Sequence, residues 1–351
     1  MKIEKRSFGK LSDGREAFLY IIDNGTIYAS VTDFGAALVS VLAPDKNGVR
    51  EDVVLGYDSV EGYESPRNRF FGASVAPVAN RTDGAIVVIN GTQYQMPVNE
   101  NGNNLHSDYE LGGHHRLWKT VTGDSSVTFT TEFPDGQIGL PGNRKMSITY
   151  TVTDLNEIMI HYHAVSDRET IFSPTNHSYF NIAGHKSGTV LNQMLTLNCS
   201  AFTPVRAGSI PTGEIRPVKG TAFDFTASRE IGKDIDAQEE QLQLTGGYDH
   251  NFVIDGYRAD GAVLQFARVE DPVSGRIMEG FTTLPGVQFY AGNFVNEPEG
   301  KDSTVYGKRS ALCLETQFFP DSNHHPEFPD YTFGPDREYD STTKYRFSVK
   351  A

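Results

Sequence analysis

Apolar and polar residues alternate along this chain in short segments that are rich in β-branched and aromatic residues. Gly, Asn and Asp separate these segments, and no segment carries a long apolar pattern at helical spacing. The clearest case runs from Met146 to Val165, where residues 147–152 and 158–163 flank the turn-like sequence Asp154-Leu155-Asn156-Glu157. This pattern predicts a hairpin there and an all-β protein overall.

Several further segments have the same strand-like pattern, and one stretch is compatible with a helix. The predicted strands cover residues 85–89, before an Asn90-Gly91 turn, and residues 127–133, 252–254, 263–269 and 312–319. The stretch from Ile231 to Leu242 is predicted to be helical. Since no Pro/Ser-rich linker, charge block or internal repeat marks a boundary, we expect one domain over residues 1–351, built from stacked sheets.

The charge balance excludes two classes of partner. Lys and Arg total 31 against 45 for Asp and Glu, a formal net charge of -14, and such a surface repels nucleic acids and anionic membranes. The chain starts without the apolar segment of a signal peptide, and no stretch approaches the length needed to cross a bilayer. We therefore expect a cytoplasmic protein without nucleic-acid or membrane partners, in which Cys199 and Cys313 are free and buried.

Residues 173–181 concentrate polar and aromatic groups and form the first candidate site. On an extended backbone His177, Tyr179 and Asn181 share one face, so an imidazole, a phenol and an amide would line one wall. The alternative is a polar strand end whose histidine has its hydrogen bonds satisfied within the fold.

Glu315 is the second candidate, because it stands inside the apolar run from Ala311 to Phe319. Burial disfavours an ionised carboxylate and raises its pKa, which makes it useful as a general base near neutral pH. The alternative is an ion pair with a residue such as Arg309. Sequence alone leaves both possibilities open.

Three short clusters contain groups that suit the hydroxyls of a sugar. They are Asn80-Arg81, residues 103–106 with His106, and residues 248–251 with Asp249. A sugar site needs fixed amides, a carboxylate and a guanidinium, together with an aromatic wall for the C–H face. The same residue types are also common in ordinary turns and strand entries, so each cluster alone indicates little.

Metal binding is the competing use of the ten histidines. His161 and His163 have suitable spacing on one strand face, but we identify no third ligand. The sequence contains no Gly-rich phosphate loop, no nucleotide fingerprint and no Gly-x-Ser-x-Gly elbow. We predict neither a metal nor a cofactor.

Taken together, these segments resemble the aldose 1-epimerase (galactose mutarotase) family, in the same order over nearly the whole chain. The motifs that carry the resemblance are Phe34-Gly35-Ala36, Asp52-Val53-Val54-Leu55-Gly56-Tyr57, Ala79-Asn80-Arg81, Asn104-Leu105-His106, Thr175-Asn176-His177-Ser178-Tyr179-Phe180-Asn181, Tyr248-Asp249-His250, Gln288 within residues 285–293, and Leu314-Glu315-Thr316-Gln317.

The resemblance implies an antiparallel β-sandwich of the galactose-mutarotase type, a monomer or weak homodimer that interconverts the anomers of a free aldose such as galactose or glucose. It implies that His177 is the general acid at the ring oxygen and that Glu315 is the general base at the anomeric hydroxyl. By the same match, the residues that hold the sugar's hydroxyls are Asn80, Arg81, His106, Tyr179, Asp249 and Gln288.

Two positions depart from the family's pattern. Ser107-Asp108 stands where the family usually has Gly-Gly, and Ala76-Pro77-Val78 precedes the Ala79-Asn80-Arg81 motif where Gly-Arg-Tyr is common. Ser and Asp tolerate fewer backbone conformations than Gly, so we expect the loop that carries His106 to take a different path, with Asp108 as an additional hydroxyl acceptor.

Three other functions fit parts of the same pattern. A glycoside hydrolase would use carboxylates such as Asp249 and Glu315 on either side of a glycosidic bond. A carbohydrate-binding protein would keep the pocket without turnover. A hexose-6-phosphate epimerase would need further basic residues at the pocket, and the sequence identifies none.

Overall fold

Antiparallel strands dominate the computed structural model, which describes residues 2–67 and 70–350. Its strands are β1 (Lys2–Lys10), β2 (Glu16–Asp23), β3 (Tyr28–Thr32), β4 (Ala37–Pro44), β5 (Arg50–Asp52), β6 (Ala73–Val75), β7 (Arg81–Thr82), β8 (Ile86–Ile89), β9 (Thr92–Gln95), β10 (Asn104–Leu105), β11 (Lys119–Thr122), β12 (Ser126–Phe133), β13 (Arg144–Val152), β14 (Glu157–Ser166), β15 (Thr170–Ile171), β16 (Thr175–His177), β17 (Met194–Leu197), β18 (Ala201–Thr203), β19 (Val205–Arg206), β20 (Ile210–Pro211), β21 (Arg216–Pro217), β22 (Arg229–Glu230), β23 (Asp249–Val253), β24 (Leu264–Glu270), β25 (Arg276–Thr282), β26 (Gly286–Tyr290), β27 (Cys313–Gln317), β28 (Thr332–Phe333) and β29 (Tyr339–Val349). The helices are α1 (Val60–Glu64) and α2 (Glu240–Thr245), with short 3-10 turns at Asp83–Ala85, Gly113–His115, Gln137–Gly139, Lys301–Ser303 and Ser322–His324.

Most of these strands belong to three sheets. The largest has nine strands in the order β11-β12-β13-β14-β29-β25-β24-β17-β22, and the N-terminal sheet has the order β1-β2-β3-β4-β5. A second five-stranded sheet, which we call the site sheet, has the order β21-β18-β23-β26-β27. Smaller pairs join β7 to β10 and β6 to β16 beside it.

The site sheet packs face to face on the nine-stranded sheet. The period of two divides the side chains of β27 between its faces, so Leu314 and Thr316 point away from the side that carries Glu315. The Tyr345 hydroxyl of β29 donates to the Leu314 carbonyl oxygen at 2.6 Å. The hydroxyls of Thr316 and Thr343 lie 2.5 Å apart. One cluster of buried apolar side chains also includes residues of the N-terminal sheet, and the fold is the predicted β-sandwich.

The hairpin prediction is confirmed, because β13 and β14 pair through the predicted turn. The helix prediction for residues 231–242 is wrong over most of its length, since α2 begins only at Glu240. Tertiary hydrogen bonds explain the difference: the amides of Ile231 and Gly232 donate to the carbonyls of Gln193 and Leu191. Both cysteines are free and buried, as predicted. None of the helices formed by the described residues has the length and apolar character needed to cross a membrane.

Asp33, at the end of β3, gives the fold a pH-dependent stability. Its carboxylate is buried, accepts the Phe18 amide at 2.8 Å, and has its pKa raised by burial from 3.8 to about 6. A raised folded-state pKa adds stability that is complete below the unfolded value and is lost as pH rises through about 6.

We therefore expect acidification from pH 7 to pH 5 to add about 1 kcal/mol to the unfolding free energy of the wild type relative to Asp33→Asn. Urea unfolding of both proteins at the two pH values measures this difference. An equal response of the two proteins would exclude Asp33 as its source.

Candidate active site

One face of three adjacent strands forms the floor of a cleft with a volume of about 530 Å³. Antiparallel pairing sets Gln288 opposite Glu315 and Asp249 opposite Tyr290. Directly opposed residues point to the same face of a sheet, so these four side chains share the floor. The Gln288 amide donates to Asp249 at 2.7 Å, which orients the carboxamide within it.

His177 forms the adjoining wall, at the end of β16. Its ring stacks on Tyr179 with a centroid distance of 4.9 Å, and Phe70 stacks at 5.8 Å. His177 Nε2 lies 3.5 Å from Glu315 Oε2. Among the described residues, neither His177 Nδ1 nor Glu315 Oε2 has a hydrogen-bond partner. An imidazole and a carboxylate therefore face each other with unused hydrogen-bonding capacity.

Burial dominates the electrostatics of the two groups. It lowers the pKa of the His177 imidazole to about 3. It raises the pKa of Glu315 well above the usual value; the Asp249 carboxylate adds to that shift, and the Arg81 guanidinium opposes it. The pKa of Asp249 is itself raised by burial. Burial consequently favours the neutral form of all three groups.

A second wall comes from β7, β10 and the residues beside them, and its His106 ring packs edge to face on His177 with a centroid distance of 5.4 Å. The backbone amide of Asn80 donates to His106 Nδ1 at 3.0 Å, and the His106 amide donates back to the Asn80 carbonyl at 3.0 Å. This reciprocal pair fixes the His106 ring against the start of β7. Arg81 follows Asn80 directly, and its guanidinium forms two hydrogen bonds with Glu100, each of 2.7 Å.

His106, His177 and Glu315 also form a cluster whose possible ligand atoms lie within 4.8 Å of one another. Three such groups suit a transition metal in principle. The Asn80 amide, however, uses the lone pair of His106 Nδ1, so a neutral ring carries its proton on Nε2. In that tautomer His106 is a hydrogen-bond donor, which suits a hydroxyl better than a metal ion.

Local contacts give the partners of three residues that the sequence left open. Arg309 pairs with Asp236 at 2.6 Å rather than with Glu315. His161 and His163 contact Asp340 and Glu338 at 2.9 and 2.8 Å, on exposed strand positions. The eight residues predicted as catalytic or sugar-binding all line the one cleft: Asn80, Arg81, His106, His177, Tyr179, Asp249, Gln288 and Glu315.

The two departures from the family's pattern meet in space. His106 and Ser107 both have positive φ, at 56° and 69°, a region that costs energy for residues other than Gly. The Ser107 hydroxyl donates to the Val78 carbonyl at 2.7 Å and accepts the Val78 amide at 2.9 Å. Ser107 thereby fastens the His106 loop to the segment that replaces Gly-Arg-Tyr.

Asp108 does not provide the additional hydroxyl acceptor that we expected from the sequence. Its Oδ1 accepts the backbone amides of Glu110 and Leu111 at 2.8 and 2.7 Å, and it is not part of the cleft lining. The carboxylate caps its own loop, as Asp commonly does in turns.

We expect Ser107→Ala to lower the free energy of unfolding by about 2 kcal/mol, because two buried backbone groups of Val78 lose their partner. Ser187→Ala is a matched control, since its hydroxyl also donates to a backbone carbonyl, at 2.9 Å, but on the surface. Urea unfolding of the three proteins tests this, and equal losses in the two variants would contradict it.

Several residues that line the cleft were not predicted from the sequence, and three of them, Tyr290, Phe70 and Glu100, contact predicted site residues. Tyr290 shares the face of Gln288 by the period of two, so its signal was present in the strand pattern. Phe70 has a positive φ of 64°, and no sequence motif indicates that its ring lies on His177. Glu100 stands in an Asn-rich turn, where its pairing with Arg81 has no local signature.

The fold and the cleft define a β-sandwich protein with a candidate acid–base site. The family model described as aldose 1-epimerase matches residues 19–346. Galactose mutarotase of Rattus norvegicus is 37% identical, with 99% of each chain covered, and aldose 1-epimerase of Escherichia coli K12 is 33% identical, with 94% of each covered.

Solved structures agree with these sequence matches. The aldose epimerase homologue from C. elegans superposes with a TM-score of 0.87 at 30% identity, covering 95% of this chain and 100% of that one. Galactose 1-epimerase from Lactobacillus acidophilus has a TM-score of 0.85 at 25% identity, with 100% and 99% covered. This chain belongs to the aldose 1-epimerase family, whose members are carbohydrate-isomerising enzymes.

Proposed function

We propose that this chain, acting as one catalytic domain, interconverts the α and β anomers of a free aldose such as galactose or glucose. His177 acts as the general acid at the ring oxygen O5, and Glu315 acts as the general base at the anomeric hydroxyl O1. The observation that carries this proposal is the contact of 3.5 Å between His177 Nε2 and Glu315 Oε2 in a buried cleft.

Anomer interconversion by this mechanism requires one proton shared between His177 and Glu315. Glu315 takes the proton of the O1 hydroxyl while His177 gives one to O5, and the C1–O5 bond breaks to form the open aldehyde. Rotation about C1–C2 then presents the other face of the carbonyl. Ring closure returns a proton from Glu315 to O1 and one from O5 to His177, so the enzyme ends in its starting state.

The directions of the two pKa shifts indicate which group holds the shared proton more readily in the absence of sugar. Burial lowers the pKa of His177 and raises that of Glu315, so burial favours Glu315 over His177 as the holder of one shared proton. Moving it to His177 creates the acid and the base without changing the number of protons. Sugar oxygens next to the unpartnered atoms of both groups support the ionic form by hydrogen bonding.

The remaining cleft residues are proposed to hold the sugar's hydroxyls. Asp249 and Gln288 offer an oriented carboxylate and amide, and Asn80, Arg81 and His106 offer donors from the second wall. Tyr179 supports the His177 ring by stacking at 4.9 Å. Among the described residues that line the cleft, Arg81 is the one Lys or Arg side chain, and Glu100 already pairs with it. A free aldose therefore fits better than a sugar phosphate.

Polarimetry on freshly dissolved α-galactose and α-glucose tests the proposal. We expect the purified protein to accelerate the approach to the anomeric equilibrium for at least one of the two sugars. Incubation with aryl glycosides and disaccharides should release no product, because a free anomeric hydroxyl is required. Accumulating reducing sugar would favour a hydrolase, and binding without faster equilibration would favour a sugar-binding protein.

A further inference from the structure

Glu100 and Arg81 form an ion pair within the cleft rather than on the open surface. The side chains of Arg81 and Glu100 are 15% and 21% exposed. Both carboxylate oxygens are used, because Oε2 accepts from Arg81 Nε and Oε1 from Nη2 at 2.7 Å each. This two-point geometry fixes the plane of the guanidinium and leaves the two N–H groups of Nη1 and the second N–H of Nη2 as further donors.

The loop that carries Glu100 is itself held in place. Its amide donates to the Asn103 carbonyl at 3.1 Å, and the Asn103 amide donates back at 2.8 Å. The Asn99 side chain bonds both the amide and the carbonyl of Leu105, at 2.7 and 2.9 Å. Glu100 is thereby anchored to the segment that ends in His106.

The charges in the cleft indicate why Arg81 needs Glu100 as its partner. Arg81 attracts the carboxylates of Asp249 and Glu315, since its charge opposes the rise in the pKa of both groups. An Arg81 side chain without Glu100 has these two carboxylates as competing partners. A guanidinium that turned to Asp249 would occupy the acceptor needed by a sugar hydroxyl, and one closer to Glu315 would weaken it as a base.

We propose that Glu100 is a positioning residue, which holds Arg81 away from Asp249 and Glu315 and directs its free donors at the sugar. This inference rests on the proposed mutarotase function and adds to it a residue that acts through Arg81. The short carboxylate of Asp would restore the charge but not the full two-point geometry.

The test measures kcat and KM for α-galactose and α-glucose by polarimetry in wild type, Glu100→Gln and Glu100→Asp. We expect Glu100→Gln to raise KM roughly tenfold, which corresponds to the loss of one charge-assisted hydrogen bond to the sugar. The change in kcat should be smaller, because Arg81 binds the sugar equally well before and during ring opening. Glu100→Asp should recover part of this loss. Glu214→Gln is the matched control, since Glu214 pairs with Arg216 at 2.8 and 2.7 Å on the surface.

A double-mutant cycle separates positioning from a merely structural role. If Glu100 acts through Arg81, Glu100→Gln should have little further effect on KM in an Arg81→Gln background. An unchanged KM in Glu100→Gln, or equal effects in both backgrounds, would overturn the inference while the wild type remains an active mutarotase. A wild type without mutarotase activity would instead contradict the proposed function itself.

Discussion

Glu315→Gln should lower kcat for anomer interconversion by roughly 10²–10⁴-fold while the protein stays folded. Glutamine keeps the volume of the side chain and its place in β27, but its amide cannot accept the proton of the anomeric hydroxyl. The buried floor also loses a group that can become charged, so burial itself favours the variant. Polarimetry under saturating sugar measures the loss, and circular dichroism checks the fold.

Glu157→Gln is the matched control for this substitution. Glu157 is also a buried glutamate in a strand, but it lies in the nine-stranded sheet and bonds Arg346 at 3.0 and 2.6 Å. We expect its kcat to match the wild type. Wild-type turnover in Glu315→Gln would remove Glu315 from the mechanism, and similar losses in both variants would point to a general effect on the fold.

The fold could be predicted from the sequence where local pattern decides structure. The alternation in residues 147–152 and 158–163 predicted β13 and β14, because each strand has one buried and one open face. The pattern failed between Ile231 and Glu239, where backbone contacts with residues 191–193 outweigh helical preference. Which sheet packs on which also has no local signature, since it depends on contacts such as Tyr345 with Leu314.

The candidate site, too, could be predicted only where the sequence signal is local. Glu315 within an apolar run and the alternating His177 and Tyr179 are local signals, and family resemblance joined them into one site. The pairing of Arg81 with Glu100 is different, because a loop must fold back before the two side chains meet. The bond between Ser107 and Val78 depends likewise on two segments that are 29 residues apart.

We expect the long-range contacts of Arg81 with Glu100 and of Ser107 with Val78 to affect the choice of substrate more than the ring-opening reaction. The proposed acid–base pair lies on β16 and β27, whose positions follow from strand pairing in the sandwich. The residues proposed to bind hydroxyls, Asn80, Arg81 and His106, lie in or next to the short strands β7 and β10, where Ser107 and Glu100 contact Val78 and Arg81. Changes in those supporting residues should therefore alter KM among aldoses before they alter the chemistry of ring opening.

His177→Asn should also lower kcat by roughly 10²–10⁴-fold, because an amide cannot donate a proton to O5 and recover it during ring closure. Asparagine is smaller than histidine, so the stacking with Tyr179 and Phe70 is lost and some stability with it. Circular dichroism and urea unfolding separate that loss from the catalytic one. His185→Asn is the matched control, as His185 is a buried histidine bonded to Tyr306 at 2.8 Å.

The double variant carrying both Glu315→Gln and His177→Asn gives the sharper test of the pair. Both groups act in the same ring-opening step and share one proton, so removing the second should cost little beyond removing the first. We expect kcat of the double variant to lie within about tenfold of the slower single variant. Losses that multiply would mean that His177 and Glu315 act in separate steps. Wild-type turnover in His177→Asn would leave Glu315 with a different acid, for which His106 is a candidate, because its ring nitrogen and a Glu315 oxygen lie within 4.8 Å of each other.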